Sequence, residues 1–298
     1  MAEGNGETAQ HSKCANEGNL NSHPESYDAY RNEFYNMDHK FRGKALIFGH
    51  DRFDIDLLDR PGNAKDCENL EKCLKELAFS VDSFRNLKYA QIMEHIDKTA
   101  RKNHSKNDCL LIAVSTHGDE SGVLYANDTH YRSENLWSRF TDENCPTLAG
   151  KPKLFILQAC QGKDYDDGIT LRSDVETDGW FEPHTIPHHP DFLLALSGVP
   201  GYFAWRKTKR GSWFIEALCE ELNNSATEMD ILTLLTVVNR KVALNYESNT
   251  DHEFSSYKKQ VPSFSSMLTR RLVFTKKPNS SSSQKSLLDY FKKCSVTN

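Results

Sequence analysis

Lys153-Leu154-Phe155-Ile156-Leu157-Gln158-Ala159-Cys160-Gln161-Gly162 begins as a short apolar run and ends as a polar turn holding one cysteine. Pro152 and Gly162 bound it, and a run of that length between such breakers reads as a buried β-strand. The carboxyl end of a buried strand in an open α/β sheet is where ligands and catalytic side chains collect. Cys109-Leu110-Leu111-Ile112-Ala113-Val114-Ser115-Thr116-His117-Gly118 repeats the design, with a histidine and a glycine after the apolar run. If the two strands are parallel neighbours, Cys160 and His117 emerge at one sheet edge. A thiol beside a base that can take or share its proton is the minimal apparatus of a cysteine nucleophile.

Outward from these two runs, strand and helix patterns alternate. Strands are expected at Lys44–Gly49, Phe79–Phe84, Cys109–Ser115, Lys153–Gln158, Asp191–Ser197 and Arg270–Phe274. Helices are expected at Asp66–Leu77, with Leu70, Cys73, Leu74 and Leu77 on one face, and at Ala90–Lys102, Ser133–Phe140, Gly211–Leu222 and Asp230–Tyr246. Gly122–Tyr125 suggests a small hairpin. Such alternation implies βαβ units and a parallel sheet, an α/β fold.

Composition narrows the class. The 298 residues carry 27% charged and 38% apolar side chains and a net charge of −5, which suits a globular protein of one or two domains. That charge gives no general pull toward nucleic acid or an anionic membrane. The longest apolar runs, such as Leu110–Val114, are too short to cross a bilayer. The first residues lack the basic and apolar parts of a signal peptide, so a cytosolic or nuclear location is expected. The eight cysteines are scattered without a Cys-x-x-Cys pair, arguing against a disulfide framework or zinc site. His184, His188 and His189 lack partners at ligand spacing, so neither metal nor cofactor is expected. Residues 1–34 read as a disordered leader, 277–298 as a serine-rich tail, and 162–190 as a long acidic loop open to proteolysis.

Gln158-Ala159-Cys160-Gln161-Gly162, with His117 placed 43 residues upstream, resembles the signature of the caspases, aspartate-specific cysteine proteases. The resemblance runs from about Tyr35 to about Phe274 and is strongest toward insect effector caspases. It implies a three-layer sandwich with a mostly parallel six-stranded sheet flanked by helices. It further implies that Cys160 attacks the scissile carbonyl and His117 supplies a proton to the leaving amine. The amides of Gly118 and Cys160 would hold the oxyanion, and a backbone carbonyl near Leu58 would orient His117.

A carboxylate-binding pocket follows from the same likeness, since paired arginines grip a carboxylate better than lysine does. Arg60, in Asp59-Arg60-Pro61-Gly62, and Arg206, in Gly201-Tyr202-Phe203-Ala204-Trp205-Arg206, match the family's two arginine contexts, and Gln158 completes the pocket. Thr116 and Ala204 would line the same cleft, Phe203 and Trp205 would wall the neighbouring apolar site, and Trp213 would border the third. Lys207 stands where effector caspases commonly carry Asn.

Val175-Glu176-Thr177-Asp178 is itself a caspase-type substrate, which divides a large subunit, 35–178, from a small one, 179–276. Asp28, in Glu25-Ser26-Tyr27-Asp28, is a second candidate cut, in the leader, with Asp38 as alternative. A cut after Asp28 would expose Ala29, a terminus that inhibitor-of-apoptosis proteins can capture. The implied partners are protein substrates with aspartate at the cut, an upstream initiator caspase, and a second copy of the large/small pair. The copies would meet through a C-terminal edge strand at Arg270–Phe274, with Ser265–Leu268 before it. In the tail, Gln284-Lys285-Ser286-Leu287-Leu288-Asp289-Tyr290-Phe291 resembles the peptide that binds the sliding clamp, against the plainer reading of a short amphipathic segment. A catalytically silent scaffold is the rival class, although Cys160, His117, Arg60 and Arg206 are all present.

Overall fold

The computed structural model describes residues 33–119, 122–161, 190–199, 204, 206–207, 211–248 and 256–277. The expectations for Asp28, Asp178, Phe203, Trp205, the three histidines of the acidic loop and the Gln284–Phe291 peptide lie outside them.

In chain order the elements are β1 (Phe41–Gly49), α1 (Asn63–Glu76), β2 (Ser80–Arg85), α2 (Tyr89–Ala100), β3 (Asn107–Ser115), β4 (Gly118–Asp119), β5 (Val123–Tyr125), β6 (His130–Arg132), α3 (Glu134–Trp137) and β7 (Lys153–Gln158). There follow β8 (Phe192–Leu196), β9 (Arg206–Lys207), β10 (Gly211–Ser212), α4 (Trp213–Ser225), α5 (Ile231–Asn245) and β11 (Ser263–Ser266). Six strands form one sheet in the order β11-β8-β7-β3-β1-β2. All its pairings are parallel except β11 on β8, which is antiparallel.

The apolar runs are continuous because both faces of the sheet are covered. Ala45, Ile47, Leu111, Ala113, Leu154 and Ile156 point to one face and pack with α1, α4 and α5. Leu46, Phe48, Leu110, Ile112, Phe155 and Leu157 point to the other, against Ile92 and Ile96 of α2 and Trp137 of α3. The period-2 alternation of strand side chains therefore builds a helix–sheet–helix sandwich.

One strand is corrected. Arg270–Phe274 is not a strand of the sheet. Leu272 and Phe274 are buried, but their backbone serves the helices: Leu272 O accepts from Ile231 N–H and Phe274 N–H donates to Ala226 O. Arg271 meets the segment before β1, its carbonyl accepting from Tyr35 N–H and its N–H donating to Glu33 O. The edge strand is β11, Ser263–Ser266, in register with Leu196–Leu193. Burial alternates over Arg271–Phe274, but it answers to helix ends and not to a strand ladder.

A buried ionic cluster fastens the segment leading into β1 to the segment that reaches Lys277. Asp108 accepts from Arg42 Nη1 (2.8 Å), Lys277 Nζ (2.8 Å) and His39 N–H (2.9 Å). Arg42 also donates to Leu77 O and Thr275 O and lies over the Phe274 ring.

Candidate active site

Strands β1, β3 and β7 end level with one another: Gly49 pairs with Ser115, and Ser115 with Gln158. The residues after them, His50, Thr116 and Ala159, therefore form one rim. Thr116 is buried there. Its N–H donates to Gln158 O (3.1 Å) and its Oγ1 to Tyr125 O (2.6 Å). The next residues on each strand are His117 and Cys160.

Gly118 shows how tightly these two turns meet. A Cβ there would strike the Cys160 carbonyl oxygen and lie 2.9 Å from Ala159 Cβ. Only a residue without a side chain allows the histidine turn to lie against the cysteine turn at that distance. His117 Nε2 lies 2.7 Å from Leu58 O. A carbonyl only accepts, so Nε2 carries a hydrogen and donates it to Leu58 O. The Phe53 ring sits against the imidazole, with centroids 5.1 Å apart.

Cys160 is half-buried, whereas the other described cysteines, Cys67, Cys73, Cys109, Cys145 and Cys219, are buried. Desolvation pushes the Cys67 thiol up to about 12 and also raises Cys109 and Cys145. Cys219 is raised first by its hydrogen bond with Cys73 and then by burial. A thiol held in its neutral form is a poor nucleophile.

Arg60 is only 3% exposed. Its Nη1 donates to His50 O (3.1 Å), Asn63 Oδ1 (3.2 Å) and Ser115 Oγ (3.5 Å). Gln158, the β-sheet partner of Ser115, is equally buried, and its Oε1 has no hydrogen-bond partner among the described residues. Arg60, bonded to Ser115 Oγ, and Gln158, paired with Ser115, thus both stand at the strand-end rim, and the guanidinium is a donor suited to a carboxylate.

The second arginine lies on β9, where Arg206 pairs with Ser212 and Lys207 with Gly211 of β10. This hairpin is anchored by Asp66, a residue the sequence reading passed over. Asp66 is fully buried on α1 and accepts from Ser212 N–H (2.7 Å) and Ser212 Oγ (2.5 Å). Gly211 has φ +94°, and a Cβ there would strike Asp66 Oδ1. The available signal was an acid on the apolar face of α1, one turn before Leu70. Trp213 follows directly. It is buried, with its ring 5.4 Å from that of Tyr246. Ala204 is half-buried.

Among the described residues, no cluster of three or more His, Cys, Asp or Glu side chains could hold a metal, and no helix is long and apolar enough to cross a membrane.

A cysteine and a histidine on adjoining strand ends of a three-layer α/β sandwich, beside a buried arginine, define a cysteine peptidase of the caspase kind. Residues 42–273 match the Caspase domain family, and the chain belongs to the caspase family. Within it the chain is an effector caspase of insect type. It is 59% identical over 249 residues to Caspase-1 of Spodoptera frugiperda, covering 82% of each chain. It is 49% identical over 247 residues to Caspase drICE of Drosophila melanogaster, covering 82% of this chain and 73% of that one. The crystal structure of the Spodoptera Caspase-1 superposes with a TM-score of 0.77 at 55% identity, covering 83% of this chain and 95% of the other. The protein is accordingly a cysteine endopeptidase that cleaves protein substrates after aspartate and assembles as a dimer. The scaffold reading is not favoured.

Proposed function

We propose that Cys160 and His117 carry out the hydrolysis. The Cys160 thiolate adds to the scissile carbonyl, and the amides of Gly118 and Cys160 stabilise the oxyanion. The C–N bond then breaks as the His117 imidazolium gives its proton to the leaving amine, leaving a thioester on Cys160. Water attacks the thioester with His117 now accepting its proton, which releases the new carboxyl end and the thiol. Leu58 O orients the imidazole throughout. The observation that carries this reading is the backbone approach of Gly118 to Cys160, combined with the 2.7 Å bond from His117 to Leu58.

Arg60, Gln158 and Arg206 grip the substrate aspartate, with Thr116 and Ala204 in the cleft wall. Phe203 and Trp205 enclose the residue before the aspartate, and Trp213 borders the site beyond. Lys207 biases the outermost position toward an acid. The chain is made as a zymogen, cut after Asp178 by an upstream initiator caspase, and works in the cytoplasm as a dimer of large/small pairs joined through β11. The leader is cut after Asp28, which leaves Ala29 for inhibitor-of-apoptosis proteins. Asp38 suits a protease less, because Met37 O is held by Thr275 Oγ1 (2.8 Å) and Lys277 Nζ (2.7 Å). No observation favours the sliding-clamp reading of Gln284–Phe291.

The test is hydrolysis of a fluorogenic Asp-Glu-Val-Asp peptide, with matched peptides ending in Glu or Asn, by the wild type, Cys160→Ala and Arg60→Ala. Cleavage that needs Cys160 and the terminal aspartate is expected. Turnover by Cys160→Ala would sink the assignment.

A further inference from the structure

The loop Asp51–Arg60 delivers three things to the site: the Leu58 carbonyl and the Phe53 ring to His117, and the Arg60 guanidinium to the pocket. Apolar burial does not hold it there. Residues 51–59 are all half-buried or exposed, and Leu58 itself is 82% exposed. A loop that fixes a catalytic imidazole to a 2.7 Å contact therefore needs another anchor.

The hydrogen bonds identify it. Asn86, at the end of β2, sits in the left-handed region with φ +51°, a conformation asparagine tolerates better than most residues. That turn aims its amide at the loop base. Asn86 Oδ1 accepts from Asp51 N–H (2.9 Å) and Arg52 N–H (3.2 Å), and its Nδ2 donates to Asp51 Oδ1 (2.6 Å). Its own N–H donates to Gly49 O, at the end of β1. Asp51 O in turn accepts from Arg60 N–H (2.9 Å), which closes the loop onto the residue that Asn86 holds. Asn127 secures the following stretch, donating through Nδ2 to Arg52 O (3.2 Å) and accepting from Asp54 N–H (2.8 Å).

We propose that Asn86 is a positioning residue for this enzyme, one side chain that sets both the Leu58 carbonyl against His117 and Arg60 in the aspartate pocket. The proposal rests on the roles given above to Cys160, His117 and Arg60. It assigns Asn86 no contact with substrate. Its effect passes through Asp51 and Arg52, so it reaches the imidazole and the pocket together.

Asn86→Gly tests it, because glycine keeps the left-handed backbone and the bond to Gly49 while removing all three side-chain bonds. Per active site titrated, kcat/KM on the Asp-Glu-Val-Asp peptide should fall on the order of a hundredfold, the usual cost of misplacing a catalytic group by about 1 Å. The loss should divide between kcat, through Leu58 and His117, and KM, through Arg60. The pKa that the pH profile reports for His117 should also fall, since a carbonyl accepting from Nε2–H favours the imidazolium.

Asn86→Asp keeps the two amide bonds but sets two carboxylates face to face, and should lose activity too. Adding Asp51→Asn to it reverses donor and acceptor across the same contact and should restore most of kcat/KM. This pair decides the matter even if Asn86→Gly does not fold. Unchanged kcat and KM per active site in Asn86→Gly, or no recovery in the Asp51→Asn/Asn86→Asp double variant, would overturn the proposal. An enzyme whose Cys160→Ala variant still turned over would instead overturn the site assignment beneath it.

Discussion

Gly118→Ala is the most direct probe of the site, because the obstacle it creates can be sized. The glycine's φ is not in the left-handed region, so alanine brings no backbone penalty and the whole effect is the new methyl. That methyl would lie 2.9 Å from Ala159 Cβ and press on the Cys160 carbonyl oxygen. Carbon atoms pack best at about 3.5–4.0 Å, so the two turns must part by roughly 0.6–1.1 Å. The Ala159 side has little room to yield: its N–H donates to Ser197 Oγ (3.2 Å), and its carbonyl accepts from the same hydroxyl (2.8 Å). A misplacement of about 1 Å between nucleophile and base costs on the order of a hundredfold, or about 2.7 kcal/mol of barrier. Overpacking should lower stability by about 1–3 kcal/mol as well. The assay is kcat per titrated active site on the Asp-Glu-Val-Asp peptide, with urea unfolding in parallel. A Gly118→Ala enzyme with wild-type kcat would show that the Cys160 and His117 turns need not lie in contact, and the catalytic geometry argued here would fall.

Three further outcomes are expected. Asp108→Ala leaves Arg42 and Lys277 without their shared buried carboxylate. Urea unfolding should show a loss of about 3–5 kcal/mol, and a loss under 1 kcal/mol would refute the clasp. His50 is held by burial at a pKa of about 4, below its ordinary 6.5. The unfolded chain therefore takes up this proton first as pH falls, so the contribution is complete above pH 6.5 and is lost progressively toward pH 4. It amounts to about 3 kcal/mol, and His50→Gln should flatten the stability–pH curve over that window. Alkylation by iodoacetamide at pH 8, mapped by mass spectrometry, should modify Cys160 well before buried Cys67, Cys73, Cys109, Cys145 or Cys219. Equal labelling of Cys109 would contradict its burial.

The central strands were legible because two covered faces leave no room for polar alternation. Cys109–Val114 and Leu154–Leu157 are continuous apolar runs for that reason, and both lie in the strands where expected. The helices were legible from their apolar stripes, with ends displaced by a few residues. β11 was not. Ser263-Phe264-Ser265-Ser266 has little strand propensity of its own and is a strand because β8 offers it an unpaired edge. Arg270–Phe274 misled in the opposite sense, since a short apolar run, Leu272–Phe274, that seals helix ends looks like a buried strand.

The site divides along the same line. Cys160, His117, Arg60 and Gln158 could be singled out as candidates from sequence because each sits in a short stretch whose neighbours are part of its signature. The order of strands could not. Parallel pairing of β3 with β7 is what turns a separation of 43 residues into adjoining turns. Asp66 meets Ser212 across 146 residues, and Asn86 meets Asp51 across 35. Neither partner carries a mark of the other, because a hydrogen bond depends on where two groups end up in space and not on local pattern. What the sequence by itself determined was which residue types stand at strand ends, and so the class of chemistry. What only the tertiary structure decided was how those ends are held, since the anchors are backbone carbonyls and distant amides that leave no pattern along the chain.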